Sequence, residues 1–445
     1  MSYPFGALKE SSGPGWQFPR RQIRRLISSL LPGSKRTSPS PRRSSASTLR
    51  FEPLEPRLLL SADLAFAAMP DSDLTVRLDS INDIDTIVII DNNIIDPSAQ
   101  IVANQALADT TAIRITGSDG DDRLTIDQTN PFIVPIYFDD ASSSDHDTLA
   151  LTGVLSNIWQ LTAANEGTVG NIAYTGIENL SGGSGDDTFH FSGGSVTGII
   201  DAGDGFDTLD YSASSSAVTI NLSDNTATDT AGVTGFESVI GSSLTSDLLI
   251  GTDAGDTWEI TASGTGTVAG IDFSGFENLQ GGSGDDTFVF SGGSVLSVAG
   301  GSGDDTLDLS ADTAGVTIDL AAGTASYAGS ITGIENVISG AGNDTLIGSL
   351  QAVLVDTGAG SDTLDFSTLS SDLTIGIAAD GSVSVSDGVD SISGITGIEN
   401  IVGSSGTNTY VLADGASLSG ALSGTSLILD YSAYTTSVAV DIEAE

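Results

Sequence analysis

Carboxylates carried on glycine turns are the residues of this chain best placed to do chemistry. Gly182-Gly183-Ser184-Gly185-Asp186-Asp187-Thr188-Phe189 returns as Gly281-Gly282-Ser283-Gly284-Asp285-Asp286-Thr287-Phe288, and again as Gly300-Gly301-Ser302-Gly303-Asp304-Asp305-Thr306-Leu307. Looser copies end in Asp122-Arg123-Leu124, Asp147-Thr148-Leu149, Asp207-Thr208-Leu209, Asp256-Thr257-Trp258, Asp344-Thr345-Leu346, Asp362-Thr363-Leu364 and Asn408-Thr409-Tyr410. Glycine tolerates positive φ and lets backbone carbonyls approach a ligand closely. Aspartate and carbonyl oxygens are hard donors that suit calcium at about 2.3–2.6 Å. The polar–apolar–polar tail has period two, which turns its apolar residue inward from a short strand. A turn, a metal corner and a strand therefore fit into about nine residues.

The pattern resembles the RTX (hemolysin-type) calcium-binding nonapeptide, glycine-glycine-x-glycine-x-aspartate-x-apolar-x. Three copies match it at every fixed position, and the resemblance spans residues 117 to 445. It implies a parallel β-roll with Ca2+ held at the turns. On that resemblance the sixth position supplies the key side chain, which gives Asp122, Asp187, Asp207, Asp286, Asp305, Asp344 and Asp362. The turn acids Asp186, Asp204, Asp285 and Asp304 join this candidate metal set, and glycine carbonyls would complete the shell. Residues about 18 apart stack on one side of such a roll. The pairs Asp187/Asp207, Asp286/Asp305 and Asp344/Asp362 are therefore expected on neighbouring rungs, about 4.8 Å apart. Two bare carboxylates at that distance repel by about 3 kcal/mol at an effective dielectric near 20. A shared dication reverses the sign, so the repeats should be loose without calcium and ordered with it.

The chain departs from the family pattern in one respect. Its nonapeptides are scattered or paired, not strung in long arrays, and Ser291-Gly292-Gly293-Ser294 is a turn without an acid. Fewer complete cages can form. The plainer alternative is an acid-rich solenoid with solvated Asp turns. No EF-hand loop is present. His146 and His190 are the only histidines, and His190, beside Phe189, reads as a surface residue rather than a zinc ligand.

These turns need strands to space them, and a longer unit supplies them. Leu209-Asp210-Tyr211-Ser212, Leu307-Asp308-Leu309-Ser310, Leu364-Asp365-Phe366-Ser367 and Leu429-Asp430-Tyr431-Ser432 are each followed by a second β-branched run. That run begins nine residues on, at Val218, Val316, Leu373 and Val438. A fixed word comes later: Gly176-Ile177-Glu178-Asn179, Gly235-Phe236-Glu237-Ser238, Gly275-Phe276-Glu277-Asn278, Gly333-Ile334-Glu335-Asn336 and Gly397-Ile398-Glu399-Asn400. The unit is turn, strand, turn, strand, long excursion, fixed word, turn. The sequence predicts an all-β fold, a parallel β-roll or β-helix solenoid built from glycine–Asp turns behind a disordered basic N-terminus. Trp159, Trp258, Phe189, Phe288 and Tyr410 are expected to fill or border its core. Residues 61–116 read as a linker and first rungs or cap, and 117–445 as the repeat body. Because the last unit stops just after Val438–Ile442, a fragment of a longer protein is expected.

Charge is divided unevenly. The formal net charge is -45, yet eleven of the 14 basic residues lie in positions 1–57, and none follows Arg123. Residues 1–60 read as a disordered basic leader. Within it Leu54-Glu55-Pro56-Arg57-Leu58-Leu59-Leu60 resembles the LEPR-XLL motif, which marks large, repetitive bacterial surface or secreted proteins and implies export or sorting. The acidic body would repel nucleic acid, so no nucleic-acid partner is expected. No apolar run is long enough for a transmembrane segment. Cysteine is absent, which leaves no disulfide and no thiol chemistry.

The reading that follows is a secreted or surface-attached calcium-binding repeat protein, bacterial and extracellular, with a structural or adhesive role. Its partners would be calcium ions and cell-surface or extracellular-matrix components. The alternative is a secretion-linked spacer of a larger secreted enzyme, such as a polysaccharide-degrading one. An activity within this chain is not expected. Lyase chemistry on a sugar acid needs a base or cation at the reacting carbon, and only two histidines are on offer beyond Arg123.

Overall fold

The computed structural model describes residues 62–97, 100–140, 142, 145–350 and 354–439. The basic leader with its LEPR-XLL motif and the end of the last run, from Val440 on, lie outside these residues. The chain divides at Leu58 into two units, and the second, Leu59–Glu445, holds all that follows.

Period-two patterning gives strands with one face buried, as in Thr188–Phe191 and Thr287–Phe290. The chain is all-β: among the described residues there is no α-helix, and one 3-10 turn spans Leu107–Asp109. The strands assemble into sheets of 16, 8, 12 and 5 strands, with parallel pairing between successive coils. The expected parallel β-solenoid is therefore the architecture. Within a coil the chain shuttles between sheets. Strand Asn179–Gly183 lies in the 8-stranded sheet, Thr188–Phe191 in the 16-stranded one, Ile199–Gly203 back in the first and Thr208–Asp210 again in the second. Each glycine–Asp turn carries the chain across.

In-register pairing stacks like residues into inward columns. Trp159 pairs with Phe189, Phe189 with Leu209, Leu209 with Val239 and Val239 with Phe273. On the opposite side Leu124, Leu149, Leu180 and Ile200 form the matching column. Trp159, Trp258, Phe189, Phe288 and Tyr410 are all fully buried, as their sequence positions predicted. The rings of Trp159 and Phe189 stack at 5.2 Å, and those of Trp258 and Phe288 at 5.5 Å, a contact worth about 0.5–1.5 kcal/mol beyond area burial.

The nine-residue step proves to be a corner. Thr208–Asp210 belongs to the 16-stranded sheet and Thr219–Asn221 to the 12-stranded one. The aspartate before each corner accepts the backbone N–H two residues on: Ser212 to Asp210 at 2.8 Å, Ser310 to Asp308 at 2.8 Å, Ser367 to Asp365 at 2.7 Å and Ser432 to Asp430 at 2.8 Å. This is the Asx turn that favours aspartate at a chain reversal.

The long excursions are not loops. Ile158–Ala163, Glu166–Val169 and Ile172–Thr175 form an antiparallel meander that stays in the sheet, and Thr257–Ala262, Thr265–Val268 and Ile271–Ser274 repeat it. The sequence pattern marks these stretches only as an excursion before the fixed word, with no element assigned to them. Tight turns at Asn165 and Gly264, both with positive φ, permit the reversals. Near the start, Asp73–Ile81 pairs antiparallel with Ile84–Asp91 and parallel with Arg123–Asp127, which joins these first strands to the repeats.

Candidate metal centre in the aspartate ladders

Stacking of the glycine turns decides where the acids point. Gly183 pairs with Gly203, and Gly282 with Gly301. Gly203 has φ +102, and a Cβ there would lie 2.0 Å from the Gly183 carbonyl oxygen; only glycine fits between rungs this close.

With the turns so stacked, the sixth-position aspartates face inward. Asp122, Asp187, Asp207, Asp286, Asp305, Asp344 and Asp362 are all buried. They form ladders in which one oxygen accepts the backbone N–H of the rung before. Asp122 N–H donates to Asp147 Oδ1 (2.7 Å), Asp187 to Asp207 (2.6 Å), Asp256 to Asp286 (2.7 Å), Asp286 to Asp305 (2.8 Å) and Asp344 to Asp362 (2.8 Å). The three pairs expected on neighbouring rungs are thus in direct contact.

The glutamate of the fixed word closes a ladder in four of its five copies, a role the sequence alone did not disclose, while Glu277 Oε2 is buried without a partner. Glu178 Oε2 accepts from Asp147 N–H at 3.0 Å, Glu237 from Asp207 at 2.8 Å, Glu335 from Asp305 at 3.0 Å and Glu399 from Asp362 at 2.9 Å. The asparagine beside it reaches the carbonyl of the same aspartate, as Asn179 does to Asp147 and Asn400 to Asp362. Both backbone groups of the last rung are capped. A repeating Glu-Asn at a fixed distance from Asp-Thr-apolar was the only sequence signal for this.

The second carboxylate oxygen divides the inner aspartates into two kinds. Where Ser or Thr follows the first glycine, that oxygen is bonded: Ser118 N–H and hydroxyl donate to Asp122 Oδ2 (2.8 and 2.9 Å), Ser242 does the same for Asp247, and Thr252 N–H for Asp256 (2.7 Å). In the glycine–glycine turns, Oδ2 of Asp187, Asp286 and Asp305 is buried without a hydrogen-bond partner, and so are those of Asp147, Asp207, Asp344 and Asp362 in other turns. Those of Asp187, Asp286 and Asp305 sit against the first glycine of their turns, Gly182, Gly281 and Gly300. A Cβ on Gly281 would lie 2.2 Å from Asp286 Oδ2 and 2.3 Å from the Gly300 carbonyl oxygen, so a carboxylate and a carbonyl converge there.

Buried, unpaired oxygens disfavour ionisation. Burial pushes the Asp147 carboxyl up to about 7, with Asp140, Asp145 and Asp122 adding repulsion. Burial raises Asp187 and Asp286 to about 6 each. Asp207, Asp305 and Asp362 rise for the same first cause, each with a neighbouring carboxylate contributing.

The turn acids Asp186, Asp204, Asp285 and Asp304 lie outside, exposed. Asp186 Oδ1 accepts from Phe206 N–H (2.9 Å) and Asp285 Oδ1 from Asp304 N–H (2.9 Å), so they form a second, solvated ladder. The structure separates the predicted set into an inner and an outer row. His190 is a half-buried strand residue whose Nδ1 lies 2.8 Å from Asp210 Oδ2, and His146 is exposed.

One acidic group was not foreseen as a site. Asp140, Asp145 and Asp147 are all buried, and each offers an oxygen within 4.8 Å of the others'. Two unit charges at that distance repel by about 3 kcal/mol at an effective dielectric near 20. This buried group could hold a metal ion. No helix among the described residues is long and apolar enough to cross a membrane. Comparison with protein-family models and with curated proteins finds no match to this chain.

Proposed function

We propose that this chain is a calcium-binding repeat protein of the hemolysin-type kind, exported to the cell surface or beyond, with a structural or adhesive role. The observation that carries the reading is the row of partnerless buried Oδ2 atoms, of which those of Asp187, Asp286 and Asp305 at the glycine–glycine turns each converge with a carbonyl of the next rung. Buried acceptors normally find a partner, and a hard dication is the partner that carboxylate and carbonyl oxygens share. Asp187, Asp207, Asp286, Asp305, Asp344 and Asp362 would hold it. When bound, calcium neutralises the inner row and ties successive rungs together. Export and surface attachment draw support from the LEPR-XLL resemblance and from an acidic body that has no lysine or arginine beyond Arg123.

A second reading rests on the bonds the ladders already make. Each inner aspartate caps a backbone N–H with Oδ1, which lets a protonated carboxyl hold the solenoid without metal. Melting of the full chain in chelator and in millimolar calcium separates the two. Saturation at about 100 times Kd stabilises by about 2.7 kcal/mol per site, so calcium should raise the melting temperature clearly. Identical curves would leave the metal-free solenoid.

A further inference from the structure

We propose that Asp140, Asp145 and Asp147 form a distinct calcium site that pins one face-crossing of the solenoid, separate from the glycine turns. Asp140 follows the strand Ile136–Asp139 of the 16-stranded sheet, and Asp147 precedes the strand Thr148–Thr152 of the 8-stranded sheet. An ion shared between them would tie the two sheets where the chain passes from one to the other. Elsewhere a corner of this kind is held by an Asx turn or a glycine turn. Here Asp145 occupies the place that a glycine holds in the complete nonapeptides.

The independent sign of a ligand is Asp145. It is 7 % exposed, and neither carboxylate oxygen has a hydrogen-bond partner. No ion pair among the described residues includes it. Asp147 contributes a second buried orphan, Oδ2, because its Oδ1 is already committed to Asp122 N–H. Glu178 has no such freedom. Its Oε2 accepts from Asp147 N–H at 3.0 Å and its Oε1 from Asn165 Nδ2 at 2.7 Å, so it is a positioning residue that holds Asp147 in place. The His146 ring is turned to solvent, 4.0 Å from Asp121, and brings no nitrogen to the group.

Three carboxylates with no nitrogen or sulfur donor select a hard cation. Calcium suits an irregular set of oxygens on three backbone positions better than magnesium, which demands near-ideal octahedral geometry. Asp145 and Glu178 also line a surface cleft with Ser142, Asn165 and Thr197, which gives an ion and its remaining waters a route in.

The site does not depend on the calcium reading of the glycine turns, and the test keeps them apart. Calcium binding to the full chain is counted by equilibrium dialysis for the wild type, Asp145→Asn and Asp286→Asn. One fewer bound ion per chain in Asp145→Asn, with an unchanged far-ultraviolet circular dichroism spectrum, is the expected result. An unchanged ion count and affinity in that variant overturns the site, whatever Asp286→Asn does. Should Asp145→Asn not fold, wild-type crystals soaked in terbium decide. An anomalous peak bonded to Asp145 supports the site, and terbium at the glycine turns alone, or nowhere, refutes it.

Discussion

At the scale of single residues, each inner aspartate does two jobs that substitution can separate. Asp286 Oδ1 caps the Asp256 N–H, and its Oδ2 has no partner. Asp286→Ala removes the cap and leaves a buried N–H unmet, which should cost about 1–3 kcal/mol with or without calcium. Asp286→Asn keeps the acceptor and removes the charge. The chain already shows that asparagine fits such a place: Asn408 Oδ1 accepts from Ser404 N–H at 2.9 Å while its amide donates to the Ser404 and Gly406 carbonyls. Asp286→Asn should therefore melt no lower than wild type in chelator, yet gain less from calcium. Differential scanning calorimetry of both variants checks this. Gly203→Ala places a methyl 2.0 Å from a carbonyl at φ +102 and should destabilise by about 3 kcal/mol or more, measured by urea unfolding.

Among elements, the Glu–Asn word matters most, because it ends a ladder and begins the next strand. Strands Asn179–Gly183, Asn278–Gly282 and Asn336–Ile338 all start at that asparagine. Glu335→Ala would leave the Asp305 N–H without its acceptor and should cost about 1–3 kcal/mol. Glu335→Gln keeps an amide oxygen there and should restore most of it. In a solenoid each coil touches only its neighbours. The loss should appear in hydrogen exchange as faster exchange around Asp305 and Asp286, with the coils near Tyr410 unchanged. A change spread evenly over the chain would contradict the ladder as a local clamp.

For the whole molecule, charge and pH act together. Without metal, the buried carboxyls of Asp147, Asp187 and Asp286 keep their protons up to about 7, 6 and 6. In the unfolded chain an aspartate loses its proton near 3.9. Between those limits the folded state binds more protons, so stability falls as pH rises. Aspartates shifted the other way, such as Asp79 and Asp210, lose their contribution only as pH drops below that window. The metal-free chain should thus melt higher at about pH 5 than at about pH 8. Calcium competes with the same protons, so its stabilisation should be larger at the higher pH. A melting series in chelator and in calcium at both values tests the sign of each.

Much of this was legible in the chain itself. The repeated word fixed the glycine turns, period two fixed the inward apolar residue, and spacings of 18 to 20 named the aspartates that meet on adjacent rungs. Those properties follow from local geometry, since a strand's alternation and a turn's need for positive φ are set within a few residues. Only the tertiary structure showed that the inner aspartates cap the backbone of the rung below, that Glu178, Glu237, Glu335 and Glu399 close the ladders, and that Asp145 stands buried with no partner. Each of those facts depends on a contact between coils. Which oxygen meets which N–H is decided by the stagger of one coil on the next, and where a meander intervenes, as between Asp256 and Asp286, the residues that meet are 30 apart and the repeat spacing does not name them.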